Sequence, residues 1–265
     1  MRSVRYGLGV AVFWAVWIGA AAVSCAAQGP VAGDRPGFGD GASVVAPGRV
    51  QVEAGYAYSD LDGFDQHAFG QMLLRFGVAR RVELRAGLIS YLVQERGCST
   101  GAFCIEESGH ETGVEDLSVG VKVNLIQGTG QPVLAAIVDT ALPTGNDAFS
   151  GDEVTPTLKL ALDVGLSDAV TFSGNVGNTF TLGGNLVEAF FTYLALGVGV
   201  PGLEGLDAFA GFYSLFPRSA DVANSLDGGF VYRLNNDTQL DVNLGFGLTP
   251  EAADFFIGAG IARRF

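Results

Sequence analysis

The chain has 265 residues, of which 48% are hydrophobic and 16% are charged. The charged fraction is well below the quarter that is typical of soluble domains. The hydrophobic fraction excludes a disordered chain, which combines low hydrophobicity with high charge. Acidic side chains outnumber basic ones, 28 against 15, which gives a formal net charge of −13. Basic residues cluster only as adjacent pairs such as Arg80-Arg81, so the composition argues against a nucleic-acid-binding surface.

Residues 1–27 have the three parts of a secretory signal peptide. Two arginines within the first five residues precede an uncharged apolar run up to Val23, and small residues follow at 24–27. A basic start, an apolar middle and a small-residue cleavage site are the marks of an export signal. We therefore expect cleavage near Ala27 and export of the remainder. Lipid attachment at Cys25 and an uncleaved membrane helix are the alternatives.

The body of the chain alternates apolar and polar side chains. In LSVGVKVNL (117–125), LKLALDVGL (158–166) and LDVNLGFGL (240–248), an apolar residue stands at every second position. Because the side chains of a strand point alternately to its two faces, each segment has one apolar face and one polar or glycine-rich face. No stretch after the signal has the roughly 20 apolar residues that a spanning helix needs.

Turn signals divide the chain after residue 48 into strands of about 10–13 residues, each long enough to cross a bilayer when tilted. We predict them at 49–59, 67–78, 81–93, 113–125, 132–142, 154–165, 169–180, 186–198, 206–216, 222–233, 238–248 and 254–265. Long connections at 94–112 and 143–153 alternate with short ones, which is typical of an outer-membrane barrel. The sequence therefore predicts an all-β fold over residues 49–265, a transmembrane antiparallel up-and-down β-barrel of about 12 strands.

An exported soluble sandwich would show the same alternation. A soluble fold would place charges on its solvent face, however, and Lys122 and Lys159 are the only lysines of the chain. The pattern thus favours the barrel. The segments at 186–198 and 206–216 are nearly apolar on both faces, so the alternation does not decide which side of these strands faces inward.

The segment at 28–48 is rich in glycine and proline and lacks strand alternation. It has two interpretations. It folds into the lumen as a plug, with Asp34 and Arg35 pairing with charges of the wall, or it forms a periplasmic tail before the barrel.

Four segments resemble one known family. They are DRPGF (34–38), PGRVQVEAGY (47–56), LPTGN (142–146) and the closing run QLDVNLGFGLTPEAADFFIGAGIARRF (239–265). They are similar to the outer-membrane transporter family named for the meta-pathway of phenol degradation. The resemblance implies a transmembrane barrel of the bacterial outer membrane that passes hydrophobic or aromatic compounds.

The end of the chain bears on assembly. Barrel-assembly signals of this kind end in Phe, as at Phe265, and usually carry an aromatic residue two positions earlier, where this chain has Arg263. We expect the barrel-assembly machinery to recognise Phe265.

Polar side chains that alternate with the apolar face are predicted to point into the lumen, because a lipid-facing Arg or Lys costs roughly 2–4 kcal/mol at the centre of the bilayer. They either set pore selectivity or pair across the lumen and hold it shut. The candidates are Glu53, Arg75, Glu83, Arg85, Asp116, Lys122, Asp139, Lys159, Asp163, Asp227, Arg233, Asp241 and Asn243.

Two cysteines fall in the longest outer connection. Cys98 and Cys104 enclose five residues, and in an oxidising compartment such a pair is predicted to form a disulfide. The alternative is a metal site that uses His110 with Glu106 or Glu107. Further acidic residues in this connection and in 143–153 would bind divalent cations at a lipopolysaccharide surface or simply be solvated.

The sequence offers no catalytic motif. The chain has two histidines, His67 and His110, and no GxSxG or other nucleophile signature. Zinc, phosphate-loop and dinucleotide motifs are missing as well. We therefore predict no enzyme activity, no cofactor and no metal.

These observations lead to one functional hypothesis and one alternative. The hypothesis is an outer-membrane channel for passive passage of small, hydrophobic or aromatic molecules. The alternative is a closed barrel with a structural or surface-interaction role. The expected partners are outer-membrane lipid and lipopolysaccharide, the barrel-assembly machinery and a small-molecule solute, without nucleic acid.

Overall fold

The computed structural model describes residues 29–61, 64–88, 90–96, 109–127, 132–151, 153–182 and 188–265. Their secondary structure consists of strands: β1 (Val50–Leu61), β2 (Phe64–Ala79), β3 (Val82–Gly87), β4 (Tyr91–Arg96), β5 (His110–Val114), β6 (Leu117–Ile126), β7 (Val133–Leu142), β8 (Thr155–Gly165), β9 (Val170–Thr179), β10 (Ala189–Gly199), β11 (Leu206–Pro217), β12 (Ala223–Asn235), β13 (Thr238–Gly247) and β14 (Phe255–Arg264). In this part of the chain no helix is long and apolar enough to cross a membrane.

The strands close into one antiparallel barrel. Except for β3 with β4 and β5 with β6, strands that follow one another in the chain pair with each other, and β1 completes the circle by pairing with both β2 and β14. The short strands β3 and β4 together form one interrupted strand of the wall, because β2 pairs with β4 along its first half and with β3 along its second. The short strands β5 and β6 likewise form one interrupted strand, because β5 pairs with β4 and β6 pairs with β3. The barrel therefore has 12 strands, which confirms the predicted fold class.

The interruptions are the main difference from the predicted strands. We expected continuous strands at 81–93 and 113–125, but pairing stops at 88–90 and again at 115–116. The neighbouring strand β2 bends at the same level, where Gly70 and Gln71 both have positive φ angles, 94° and 39°. Positive φ is costly for residues other than glycine, so this bend in the wall is specified by the tertiary structure.

The predicted alternation of faces is observed. Large apolar side chains such as Leu84, Leu196 and Leu244 are exposed on the outer face, as expected of a wall that meets lipid. The inner face carries the buried polar and charged side chains. The structure also orients β10, on which Phe191 and Tyr193 are buried while Leu194 and Leu196 are about half exposed.

The two ends of the barrel differ. One end, here called the turn end, carries the start of β1, the end of β14 and the connections 80–81, 127–132, 166–169, 200–205 and 236–237. The other, called the loop end, carries the connections 62–63, 97–109, 143–154, 180–188, 218–222 and 248–254. The longer connections thus gather at one end, as the sequence predicted.

Candidate channel interior

Residues 29–48, called the inner segment, lie inside the barrel. Val31, Ala42 and Val45 are at most 2% exposed, although no strand includes them. Backbone N–H groups of the segment donate hydrogen bonds to wall side chains on opposite sides of the barrel: to Glu53 on β1, Glu83 on β3, Asp163 on β8, Asn175 on β9 and Gln239 on β13. A segment that bonds strands all around the barrel runs through its lumen, so residues 29–48 do not form a tail outside it.

Small apolar residues make room for the segment against one wall. Ala42 packs in a fully buried cluster with Ala135 and Ile137 of β7 and Ala161 of β8. The amide of Asn124 on β6 donates a 2.5 Å hydrogen bond to the carbonyl of Ala42. Alanines at these inward positions leave the width that a second layer of chain requires.

Asp34 is the centre of the charged contacts of the inner segment. Its two carboxylate oxygens each lie 2.9 Å from Nζ of Lys122, Arg75 Nη1 lies 3.4 Å away, and Arg85 forms a further ion pair. The Asp34 side chain is only 4% exposed. Three cations from three strands thus surround one carboxylate of the inner segment.

Arg75 joins this centre to the wall. Its guanidinium lies 2.8 Å from Glu83 and 3.0 Å from Glu53, and it donates to the carbonyls of Ala32 and Ser43. The side chains of both glutamates are fully buried, at 0% exposure. Buried charges are tolerated only when they are paired and hydrogen-bonded. Here Arg75 pairs with both glutamates and also donates to two carbonyls of the inner segment.

Asp40 forms a second charged contact further along the segment. Arg85 Nη2 lies 2.7 Å from its carboxylate, and Lys159 on β8 pairs with it as well. Arg85 also lies 3.3 Å from Asp139 on β7. The segment is therefore fixed by ion pairs at both Asp34 and Asp40.

The opposite wall is aromatic. Tyr193 on β10 donates its hydroxyl to Asp227 on β12 at 3.2 Å. The ring of Phe38 stacks on Tyr213 with centroids 4.5 Å apart and meets the edge of Phe256 at 5.1 Å. The lumen thus combines a charged half, which binds Asp34 and Asp40, with an aromatic half, into which the ring of Phe38 projects.

Two cavities lie on either side of residues 35–38. The cavity towards the loop end has a volume of about 350 Å³ and is lined by Tyr213, Ser225, Phe256 and neighbouring residues. The cavity towards the turn end has a volume of about 210 Å³ and is lined by Ser173, Tyr193, Phe209 and their neighbours. Arg35 and Pro36 border both. A third cavity of about 400 Å³ adjoins residues 29–32 near Asn124.

Most predicted lumen residues lie on the inner face. Those that are buried are Glu53, Arg75, Glu83, Arg85, Lys122, Asp227 and Asp241. Asp139, Lys159, Asp163, Arg233 and Asn243 are partly exposed. Arg233 pairs with Asp207 near the turn end, Asp163 accepts a hydrogen bond from Ser173, and Asn243 lines the loop-end cavity.

Asp116 departs from the expectation that it is a lumen residue. It lies between β5 and β6, and its carboxylate accepts hydrogen bonds from the backbone N–H groups of Thr144, Gly145 and Gly151 at 2.9, 2.9 and 3.0 Å. Burial raises the pKa of this carboxyl, but the hydrogen bonds to it together lower the pKa by a larger amount. The pKa therefore lies below its ordinary value. Asp116 therefore anchors a loop-end connection, a role that its place in the sequence alternation did not reveal.

Both candidate plug residues make wall contacts. Asp34 binds three cations, as described above. Arg35 lies 3.5 Å from Asp241 and donates to the side chain of Gln71 at 2.8 Å. The sequence did not single out Asp40, Phe38 or Tyr193, because nothing in the local pattern shows that a distant segment packs against β10 and β11.

The remaining predicted features lie at the edges of the barrel. Residues 1–28, Cys98 and Cys104 lie outside the described residues, so the signal peptide and the disulfide stay predictions. Phe265 is 61% exposed, and its backbone pairs with Val50. His67 forms a hydrogen bond with the Tyr56 hydroxyl at 2.8 Å. No group of three or more metal-binding side chains occurs within the described ranges.

Comparison with known proteins identifies the type of barrel. The family model described as Putative MetA-pathway of phenol degradation matches residues 33–265. The COG4313 outer membrane channel from Pseudomonas putida F1 has a TM-score of 0.65 at 16% identity, covering 87% of this chain and 100% of that chain. The KdgM porin has a TM-score of 0.50 at 11% identity, covering 80% and 99%. The NanC porin has a TM-score of 0.50 at 10% identity, covering 81% and 98%. At these identities the structures show a shared fold. Among curated proteins, none gives a significant match.

Proposed function

The chain belongs to the family defined by the MetA-pathway model, and from this premise we propose that it is an outer-membrane channel for small hydrophobic or aromatic molecules. The observation that carries the proposal is the pair of cavities in a closed barrel, one towards each end, with Arg35 and Pro36 bordering both. Solute would enter between the loops, pass the aromatic wall and leave at the turn end. The proposed passage is passive and follows the concentration gradient of the solute.

The division of the lumen supports a path along β10 to β14. The ion pairs of Asp34 and Asp40 hold the inner segment against β2, β3, β6 and β8. On the opposite wall, the described bonds to the segment are the ion pair of Arg35 with Asp241 and hydrogen bonds with Gln239 and Ala259. A molecule with an apolar body meets Tyr213 and Phe256 there, while polar groups such as Ser225 and Asn243 keep the cavity wettable.

Export and assembly complete the proposal. The signal-like residues 1–27 would be cleaved during export in a bacterium, and the barrel-assembly machinery would insert the barrel by recognising Phe265. Acidic residues of the loop end would contact lipopolysaccharide through divalent cations. On the basis of the family, we propose that the protein is a transporter without enzyme activity.

One observation favours the alternative, a closed barrel with a structural or surface-interaction role. The inner segment fills the charged half of the lumen, and its buried ion pairs at Asp34 and Asp40 join it to four strands. A segment held in this way would prevent flow if residues 35–38 never moved.

Solute influx into liposomes separates the two proposals. The purified protein is reconstituted, and the influx of small aromatics is compared with that of sugars of similar size, with protein-free vesicles as the background. We expect a protein-dependent increase for aromatics. An equal increase for both solutes would indicate a general pore, and no increase from a folded barrel would support the closed barrel.

A deletion tests the inner segment directly. Removing residues 28–46 leaves the wall strands in place and should raise the single-channel conductance, because the segment occupies the lumen. Unchanged conductance of the folded variant would show that the segment does not restrict flow.

A further inference from the structure

Phe38 is an aromatic side chain in an aromatic site. Its ring lies nearly parallel to that of Tyr213, with an interplanar angle of 12° and centroids 4.5 Å apart. Phe256 presents its edge at 5.1 Å, and Tyr193 at 6.4 Å. These offset-stacked and edge-to-face arrangements are the preferred geometries of aromatic pairs. The wall residues therefore form a site shaped for one planar ring, and a ring of the protein itself lies in it.

The occupant is held less firmly than the rest of the inner segment. Phe38 remains 39% exposed to the loop-end cavity, whereas Asp34 and Asp40 on either side are fixed by buried ion pairs. Its neighbours in the chain are Gly37, which has a φ of +93°, and Gly39. Glycine adopts conformations that other residues do not, so the backbone around Phe38 can change without moving the two anchors.

The adjoining cavity has room for a further ring. Its volume is about 350 Å³, and an apolar cavity of about 150 Å³ is already large enough to bind benzene. Among the described residues that line it, only Arg35 is charged, and Arg35 lies 3.5 Å from Asp241. The other polar lining groups, which include Ser225, Asn243 and Gln71, are uncharged. This chemistry fits a neutral aromatic ring better than an aromatic carboxylate.

We propose that Tyr213 and Phe256 form a binding site for a neutral single-ring aromatic solute, and that Phe38 occupies this site until the solute displaces it. The proposal rests on the proposed channel function and adds the site, the ligand class and the competing residue. Arg35 and Pro36 border both cavities and directly precede Gly37 and Phe38 in the chain, so displacement of Phe38 would also open the boundary between the cavities. An aromatic solute would thereby promote its own passage.

Removal of the competing ring tests the site. In the full-length protein in detergent micelles, Phe38→Ala should bind phenol more tightly than the wild type does. The expected gain is on the order of 2- to 12-fold, the equivalent of one aromatic pair. Phe38→Leu, which keeps most of the bulk without the ring, should give a smaller gain in the same direction. Cyclohexanol, similar in size but not aromatic, should show little gain.

The second variant removes the wall partner. Adding Tyr213→Leu to Phe38→Ala should abolish the gain in phenol binding. Phe230→Ala is the matched control, because Phe230 lies on the outer face and is 49% exposed; it reports the change in micelle partitioning alone. Equal phenol affinity in wild type, Phe38→Ala and Phe38→Leu, with folding verified by heat-dependent mobility on gels, would overturn the proposal.

Influx measurements distinguish the failure of this proposal from the failure of the channel function. If phenol enters through the wild-type protein and the Phe38→Ala variant shows the same influx, the displacement of Phe38 is refuted and the channel function stands. Absence of influx in the wild type, together with tighter phenol binding in Phe38→Ala, would refute the channel and retain the site. Faster influx and tighter binding in Phe38→Ala support both.

Discussion

Nζ of Lys122, on β6, lies 2.9 Å from both carboxylate oxygens of Asp34, in a segment that belongs to no strand. The two residues are 88 positions apart in the chain. Lys122 is fully buried in a barrel interior, where its charge needs a partner. The pair therefore links the stability of the wall to the position of the inner segment.

Asp34→Asn should loosen the inner segment. The substitution removes the negative charge that Arg75, Arg85 and Lys122 share, and it leaves three buried cations with fewer anions. We expect a higher mean single-channel conductance and more frequent fluctuations, measured in planar bilayers.

The control for this prediction is Asp168→Asn, which makes the same change at an exposed turn-end residue. Asp168→Asn should behave as the wild type does. Wild-type conductance in Asp34→Asn would mean that the remaining hydrogen bonds suffice to hold the segment.

Arg75→Met should destabilise the whole barrel. Methionine fills the space of the arginine stem but leaves Glu53 and Glu83 buried without their main cation. Removing one partner of a buried ion pair costs about 3–5 kcal/mol. The folded band on heat-dependent gels should therefore be lost at a lower temperature than in the wild type, whereas Arg218→Met, at an exposed site, should leave that temperature unchanged. A similar shift in both variants would contradict the role of Arg75.

Gly77→Ala should displace the end of the inner segment from β2. A Cβ at Gly77 would overlap the backbone carbonyl oxygens of Val45 and Ala46, and backbone atoms cannot yield as a flexible side chain does. We expect lower thermal stability and increased conductance. Gly165→Ala is the matched control, because a Cβ there has no atom within 4 Å. Equal effects of the two substitutions would show that the change in stability comes from replacing a glycine in a strand and not from this contact.

Asp116→Asn should free the connection at 143–151. The folded carboxyl has a lowered pKa, so its contribution to stability is present above the pKa of the unfolded chain and is lost as the pH falls through the folded value. The variant should show faster hydrogen exchange at the amides of Gly145 and Gly151 at neutral pH, and the wild type should approach it only in strong acid. Asp147→Asn, in the same connection, should exchange as the wild type does; protection that survives in Asp116→Asn would refute the anchor.

Mass analysis tests the predicted disulfide between Cys98 and Cys104. Alkylation without reduction should leave both thiols unmodified, and reduction should then expose two. Closing so short a loop stabilises the folded chain by on the order of 2 kcal/mol in the chain-entropy model. Two alkylated thiols in protein taken directly from membranes would contradict the prediction.

Local patterns determined the wall of this protein. Alternation with a period of two depends only on the neighbours of each residue, so it predicted the strands, their facing and the burial of Glu53, Arg75 and Lys122. It failed where a strand is interrupted, as at Asp116, because a break in pairing depends on the adjacent strands. It also left β10 and β11 without an orientation, since both of their faces are apolar.

The tertiary structure alone decided how the interior is filled. Residues 34–40 have no periodicity, and their course is set by ion pairs and hydrogen bonds to strands that lie up to 224 positions away in the chain. Phe38, Tyr213 and Phe256 come together only because the barrel closes and the inner segment crosses it. The sequence by itself therefore determined that a polar lumen exists. Which groups divide that lumen, and where an aromatic ring fits, depends on contacts between residues that no local pattern relates.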